Sequence, residues 1–180
     1  MAFVKKRLYL LVAFLGAYLA YSAVHEGSHY LACRLLGEEV VEFRFLTNGW
    51  LSSQVIYATP VAERVGVRWL VIAWLPAVMT TLIGYLVYGT RRRWLTQWPW
   101  VNVLLWYIGA CFLLFDPLYY AVLSLWFGGD IHAAAAVGWP VWPIRALAAI
   151  VLALNGWLVL RWQREARTGP EVYRPATGFG

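Results

Sequence analysis

The chain has 180 residues, of which 62% are hydrophobic and only 13% are charged, and its mean hydropathy is +0.59. Soluble domains are about 45–50% apolar and about 25% charged, so this composition excludes an ordinary soluble protein and indicates a membrane protein. Because a transmembrane helix takes about 20 mostly apolar residues, the length allows about four spans with short connections. We therefore predict one membrane-embedded domain over residues 1–160.

The formal net charge is +6. The positions of the basic residues along the chain are more informative than this total. The basic residues gather where apolar runs end, at Lys5 to Arg7, at Arg91 to Arg93 and from Arg161 to Arg167. Clusters of this kind are orientation signals, and they predict that both termini and the Arg91–Arg93 loop are cytoplasmic. We expect no nucleic-acid partner. The expected surroundings are a lipid bilayer, in a multi-pass protein of a prokaryotic cell membrane.

The first half of the chain predicts two spans separated by a hairpin. The first span runs from about Leu8 to Cys33 and is apolar apart from a polar stretch at its far end. From Glu38 to Ala58, two β-prone runs flank an Asn-Gly pair, which predicts a β-hairpin. A charged linker from Pro60 to Arg68 leads to a second span, Trp69 to Tyr88, in which Pro76 predicts a kink or a point of close packing.

The second half predicts two further spans and a tail. The stretch from Trp100 to Phe127 is long for one span and contains Asp116-Pro117, which allows either a broken helix or two shorter pieces. Val141 to Leu160 is the last span, and Arg161 to Gly180 is predicted to be a disordered polar tail. The predicted fold is an all-α integral membrane bundle of about four transmembrane helices, with a short β-hairpin after the first helix.

The polar stretch in the first span has the pattern of a metal site. His25 and His29 are four residues apart, so a helix directs both imidazoles to one face, with Glu26 beside them. Two imidazoles and a carboxylate suit zinc and leave a fourth position for a water, whose pKa the ion lowers to about 7, and Glu26 would be the general base. The alternative is that the three residues form hydrogen bonds between helices or line a polar vestibule.

A third ligand for the ion has to come from elsewhere in the chain. Asp130 is the preferred candidate, because Gly128 and Gly129 allow the backbone to approach closely, although a helix-capping role competes for its oxygens. Asp116 is the main rival, since an Asp-Pro pair often begins a helix or turn instead. His132 is a third possibility, as a ligand or as a second donor near the site.

The sequence His25-Glu-Gly-Ser-His29, the hairpin that follows it, the Leu75-Pro76 span and the later Gly129-Asp130 together resemble the site-2 protease family of intramembrane zinc metalloproteases. The resemblance covers about residues 8–135. It implies that His25, His29 and Asp130 bind one zinc ion and that Glu26 activates water. It also implies a membrane-protein substrate, whose unwound strand could pair with the edge of the hairpin.

The chain departs from the family pattern in two places. Gly128-Gly129-Asp130-Ile131 replaces the usual Asp-Gly pair with its neighbouring asparagine and proline. Leu75-Pro76-Ala77 stands in place of a Gly-Pro pair and is followed by threonines rather than by an asparagine. Two other functions therefore stay open: a non-proteolytic zinc protein with a structural, regulatory or metal-handling role, and a transport or scaffold protein with a polar water path.

Overall fold

The computed structural model describes residues 2–48, 52–94, 98–127, 129–133 and 137–168. Its helices are α1 (Ala2–Leu36), α2 (Val67–Trp94), α3 (Pro99–Leu118), the short α4 (Ser124–Phe127) and α5 (Val141–Thr168). Four segments are long and apolar enough to cross a membrane: 7–36, 67–94, 100–126 and 141–166. The predicted fold class is confirmed, and the chain is a multi-pass membrane protein.

Three of the spanning helices, α1, α2 and α3, pack against one another, and α5 packs against α3. Small residues allow close approach: Ala17 and Cys111 are buried between α1 and α3, and Gly84 of α2 lies against Leu113 of α3. Such contacts stabilise helix pairs in lipid, where apolar side chains gain little by leaving the bilayer. Outward-facing side chains stay exposed, as a lipid-facing surface requires.

The long third stretch is a continuous helical run rather than two pieces. α3 passes through Asp116-Pro117 to Leu118, a π-helical turn (Tyr119–Leu123) follows, and α4 completes the run. Pro117 has no backbone N–H, so the carbonyl of Leu113 loses its helical donor. Asn155 of α5 donates its Nδ2–H to that oxygen over 2.6 Å, which keeps the helix intact.

The predicted hairpin is present between α1 and α2. Strands β1 (Val40–Asn48) and β2 (Ser52–Tyr57) are antiparallel, with Val40 opposite Tyr57 and Phe43 opposite Val55. Gly49 of the predicted turn lies outside the described residues.

The base of the hairpin is tied to the helices on either side through Glu38. Its carboxylate accepts hydrogen bonds from the backbone amide of Thr59 (3.1 Å) and the Thr59 hydroxyl (3.0 Å), and it pairs with Arg68 at the start of α2. The hairpin is therefore held against the end of α1 and the beginning of α2.

The last helix is longer than predicted, because α5 continues to Thr168 instead of ending near Leu160. Glu165 accepts hydrogen bonds from Arg91 at 2.6 Å and from Arg161 at 3.0 Å, so the charged end of the helix has partners. The contact between Arg91 and Glu165 places the ends of α2 and α5 next to each other. Residues 169–180 of the predicted tail lie outside the described residues.

Candidate metal centre

The structure places the two motif histidines side by side on α1. The ring centroids of His25 and His29 are 5.1 Å apart, and both side chains are largely buried. One helical turn separates them, as the spacing predicts. Glu26, between them, is 8% exposed and interacts electrostatically with both histidines.

Asp130 is brought to the histidines by the turn after α4. Gly129 has φ of +83°, which turns the chain into a short 3-10 segment, Gly129–Ile131. The Asp130 Oδ2 atom lies 3.4 Å from His29 Nε2 and 3.8 Å from His25 Nε2. One ligand atom from each of the three residues lies within 4.8 Å of the others. The three residues predicted as ligands are therefore together in the fold.

These separations fit a metal better than they fit direct hydrogen bonds. A tetrahedral zinc with bonds of about 2.0–2.1 Å holds its ligand atoms about 3.4 Å apart. A direct N–H···O bond brings the two heavy atoms to about 2.9 Å. The distances from the Asp130 carboxylate to the two imidazoles are therefore close to the distance between ligand atoms in such a site.

The opposite ring nitrogens indicate which atoms are free to bind. His29 Nδ1 lies 2.9 Å from the backbone oxygen of Ile72, and His25 Nδ1 lies 3.1 Å from Asp116 Oδ1. A carbonyl oxygen only accepts hydrogen bonds, as does an ionised carboxylate, so each Nδ1 carries the proton. Both Nε2 atoms face Asp130, and in the neutral form of each ring the Nε2 lone pair would be available to an ion. This donor set, two imidazole nitrogens and a carboxylate oxygen, fits zinc.

Asp116, the main rival as third ligand, lies behind His25 instead. It is 2% exposed, and it accepts hydrogen bonds from the hydroxyl of Tyr21 (2.7 Å) and from that of Thr80. With His25 Nδ1 as a third partner, both carboxylate oxygens are engaged. Among the described residues, neither Asp116 nor the exposed His132 belongs to the group of converging ligand atoms.

The hairpin covers one side of this cluster. The ring of Tyr57 on β2 lies edge-on to His29, with centroids 6.5 Å apart, and Ser53 of the same strand is 3.5 Å from Ser22 of α1. Burial raises the pKa of the Tyr57 hydroxyl, and the negative charge of Asp130 raises it further. The phenol therefore stays protonated and remains a hydrogen-bond donor beside the cluster.

Sequence analysis missed the residues that hold the histidines in place. Tyr21 is one turn before His25, and Thr80 is one turn after Pro76, so helical spacing was the available signal. The Ile72 contact has no side-chain signature, since it is made by a backbone atom. Its only trace in the sequence is Pro76, four residues later.

Comparisons with protein-family models, with curated proteins and with solved structures found no match. The resemblance to site-2 proteases therefore stays a prediction that rests on the residues quoted for it.

Proposed function

We propose that this protein is an intramembrane zinc metalloprotease of a prokaryotic cell membrane, which hydrolyses peptide bonds in or near the transmembrane segments of other membrane proteins. The observation that supports the proposal is the convergence of one nitrogen from each of His25 and His29 and one carboxylate oxygen of Asp130, all within 4.8 Å of one another. Ionisable side chains within spans are costly, which favours a functional reason for the cluster.

His25, His29 and Asp130 would hold the ion through three protein ligands, which leaves a fourth position open. A bound zinc ion supplies Lewis acidity, which polarises a peptide carbonyl and makes water acidic enough to react near neutral pH. Glu26 would accept the proton from that water and return it to the leaving amine. Tyr57 could donate a hydrogen bond to substrate from the hairpin side.

The substrate would have to be locally unwound, because the hydrogen bonds and side chains of a helix shield its peptide bonds. The hairpin supports a way to hold such a strand. In the part of the chain that the structure describes, the sheet has two strands, so each strand has one edge without a sheet partner there, and extended peptides can pair with such edges. Its contacts with Ser22 and His29 put β2 next to the cluster.

The first test compares the wild type with Glu26→Gln, purified in detergent. Zinc content should be one ion per chain in both, since glutamine leaves the three ligands in place. Cleavage of a single-span reporter should fall by roughly 10²- to 10⁴-fold in the variant, because the general base is lost.

Glu39→Gln is the matched control, since Glu39 is exposed at the base of the hairpin, and it should cleave like the wild type. Zinc without cleavage in the wild type, across reporters with glycine or proline near the cleavage point, would favour the non-proteolytic zinc protein. Absence of zinc from the wild type would refute the metal centre itself.

A further inference from the structure

Pro76 stands at the point of α2 that touches His29. A proline has no backbone N–H, so the carbonyl four residues earlier, that of Ile72, loses its helical donor. His29 Nδ1 lies 2.9 Å from this oxygen. Ile72 is 1% exposed, so water does not supply the missing donor. The carbonyl that accepts the histidine proton is thus the one that the proline leaves free.

We propose that Pro76 is a positioning residue for His29: by withholding an amide from Ile72, it creates the acceptor that fixes the imidazole with Nδ1 protonated and Nε2 turned toward the ion. This inference rests on the metal centre proposed above. Hydrogen-bond partners behind a metal-binding histidine set its tautomer and ring orientation. Here that partner is a backbone atom made available by a residue that never touches the ring.

Two neighbouring carbonyls of α2 also have side-chain partners. The hydroxyl of Tyr120, in the π-helical turn, donates to the carbonyl of Ala73 over 3.3 Å. Thr80, whose hydroxyl donates to Asp116, the partner of His25, also has its Oγ1 atom 2.8 Å from the carbonyl oxygen of Pro76. A carbonyl freed inside a membrane must find a donor within the protein, and for Ile72 that donor is His29. Around Pro76, side chains close to the cluster therefore contact the backbone of α2.

Replacing Pro76 by alanine should therefore weaken metal binding although alanine is the better helix former. The alanine would offer its N–H to the Ile72 carbonyl and compete with His29 for that oxygen. We expect the zinc dissociation constant of Pro76→Ala, measured by competition with a chromophoric chelator, to rise about 10- to 100-fold, the usual loss when a partner behind a ligand is removed.

The chain has three histidines, so ¹⁵N spectra of histidine-labelled protein can report each ring. In metal-free wild type, His29 should already be in the Nδ1–H form, with the exposed His132 as an internal reference. In Pro76→Ala, this signature should be lost or mixed. Pro117→Ala is the matched control. It provides a backbone N–H for the carbonyl of Leu113, which is bonded by Asn155 rather than by a histidine. The His29 signals should therefore be unchanged.

The wild-type spectrum does not depend on whether the variant folds. A neutral, metal-free His29 that carries its single proton on Nε2 would overturn the proposal directly. So would a Pro76→Ala protein that binds zinc within about threefold of the wild type, where the usual loss is at least tenfold. Either result, with zinc bound by the wild type, leaves the metal centre standing. Absence of zinc from the wild type would instead remove the metal centre and this inference together.

Discussion

Among the described residues, two prolines lie beyond the first turn of a spanning helix, and the carbonyl that each one frees is bonded by a buried side chain of another helix. Pro76 leaves the backbone carbonyl of Ile72 without its helical donor, and this oxygen contacts His29 of α1. Pro117 does the same to the carbonyl of Leu113, which accepts a hydrogen bond from Asn155 of α5. The same backbone defect thus makes a contact between helices twice, once at the cluster of ionisable residues and once away from it.

The two contacts differ in what the donor does with its remaining polar atom. Asn155 accepts a hydrogen bond from the Tyr85 hydroxyl at 2.8 Å, so both ends of its amide are used within the bundle. His29 turns its other nitrogen toward Asp130, 3.4 Å away. The Leu113 carbonyl, whose donor Asn155 has no remaining free polar atom, therefore contributes to stability. The Ile72 carbonyl, whose donor His29 has a second nitrogen facing Asp130, also orients a residue of the proposed metal centre.

The strongest test of this difference is Asn155→Leu, which replaces the amide by an apolar side chain and leaves the Leu113 carbonyl and the Tyr85 hydroxyl without a partner. The Leu113 carbonyl is buried, and leaving such a group unsatisfied costs about 1–3 kcal/mol, so we expect the free energy of unfolding to fall by about that amount. Zinc affinity of the folded protein should be unchanged, because Asn155 does not touch the cluster. Denaturant unfolding in detergent micelles and chelator competition would measure the two quantities.

A double variant makes this test specific to the proline. When Asn155→Leu is combined with Pro117→Ala, the backbone amide of the introduced alanine can bond the Leu113 carbonyl, so part of the lost stability should return. Additive effects of the two changes would show that Asn155 does not act through the carbonyl that Pro117 frees.

A substitution of Asp116 tests the contacts at the cluster. Asp116 contacts Nδ1 of His25, as the Ile72 carbonyl contacts Nδ1 of His29. In Asp116→Asn the amide oxygen can still accept from His25, and Thr80 can accept from the new NH₂ group. The negative charge behind the ring is lost, however. In the proposed metal centre, Asp116 and Asp130 together would offset the charge of a divalent ion in an apolar setting. We expect zinc affinity to fall about 10- to 100-fold, with cleavage reduced in parallel at limiting zinc.

The controls keep the charge and remove a single donor. Tyr21→Phe and Thr80→Val each delete one hydrogen bond to Asp116, and each should lower zinc affinity less than Asp116→Asn does. If Asp116→Asn instead bound zinc like the wild type while unfolding more easily, Asp116 would be a tie between helices and not a partner of the metal centre.

The fold was largely predictable because it depends on composition along the chain. Apolar runs of span length and an Asn-Gly pair between β-prone runs are local features, and they suffice for four helices and a hairpin. The end of α5 was missed because Arg161 and Glu165 look like a solvated tail in the sequence. The hydrogen bond that Glu165 accepts from Arg91 is made across helices, and no local pattern encodes it.

The candidate site was predictable only in part. Residues close together in the sequence could be grouped, and residues brought together by packing could not. His25, Glu26 and His29 lie within about one helical turn, so spacing alone groups them. Asp130 is more than a hundred residues away in sequence, and Asp116 is an equally polar alternative. Only the packing of α1 against α3 shows that Asp116 lies behind His25. The Ile72 carbonyl carried no sequence signal except a proline, which has several other uses in membrane helices.

Gly129 precedes Asp130, the third candidate ligand. Here the backbone conformation depends on a glycine rather than on a proline. Its φ of +83° disfavours any other residue, and a Cβ there would come within 2.0 Å of the Tyr119 hydroxyl. The backbone strain alone is about 1–2 kcal/mol for an L residue. In Gly129→Ala we expect Asp130 to be displaced and zinc affinity to fall by about tenfold, the equivalent of about 1.4 kcal/mol.

Gly66→Ala separates strain from contact, because Gly66 has nearly the same φ, +84°, and no heavy atom within 4 Å of the place that a Cβ would occupy. It should cost stability and leave zinc affinity as in the wild type. If Gly129→Ala also lost only stability, Asp130 would reach the histidines without help from the glycine turn. The convergence of the three ligand atoms would then depend on the packing of the helices.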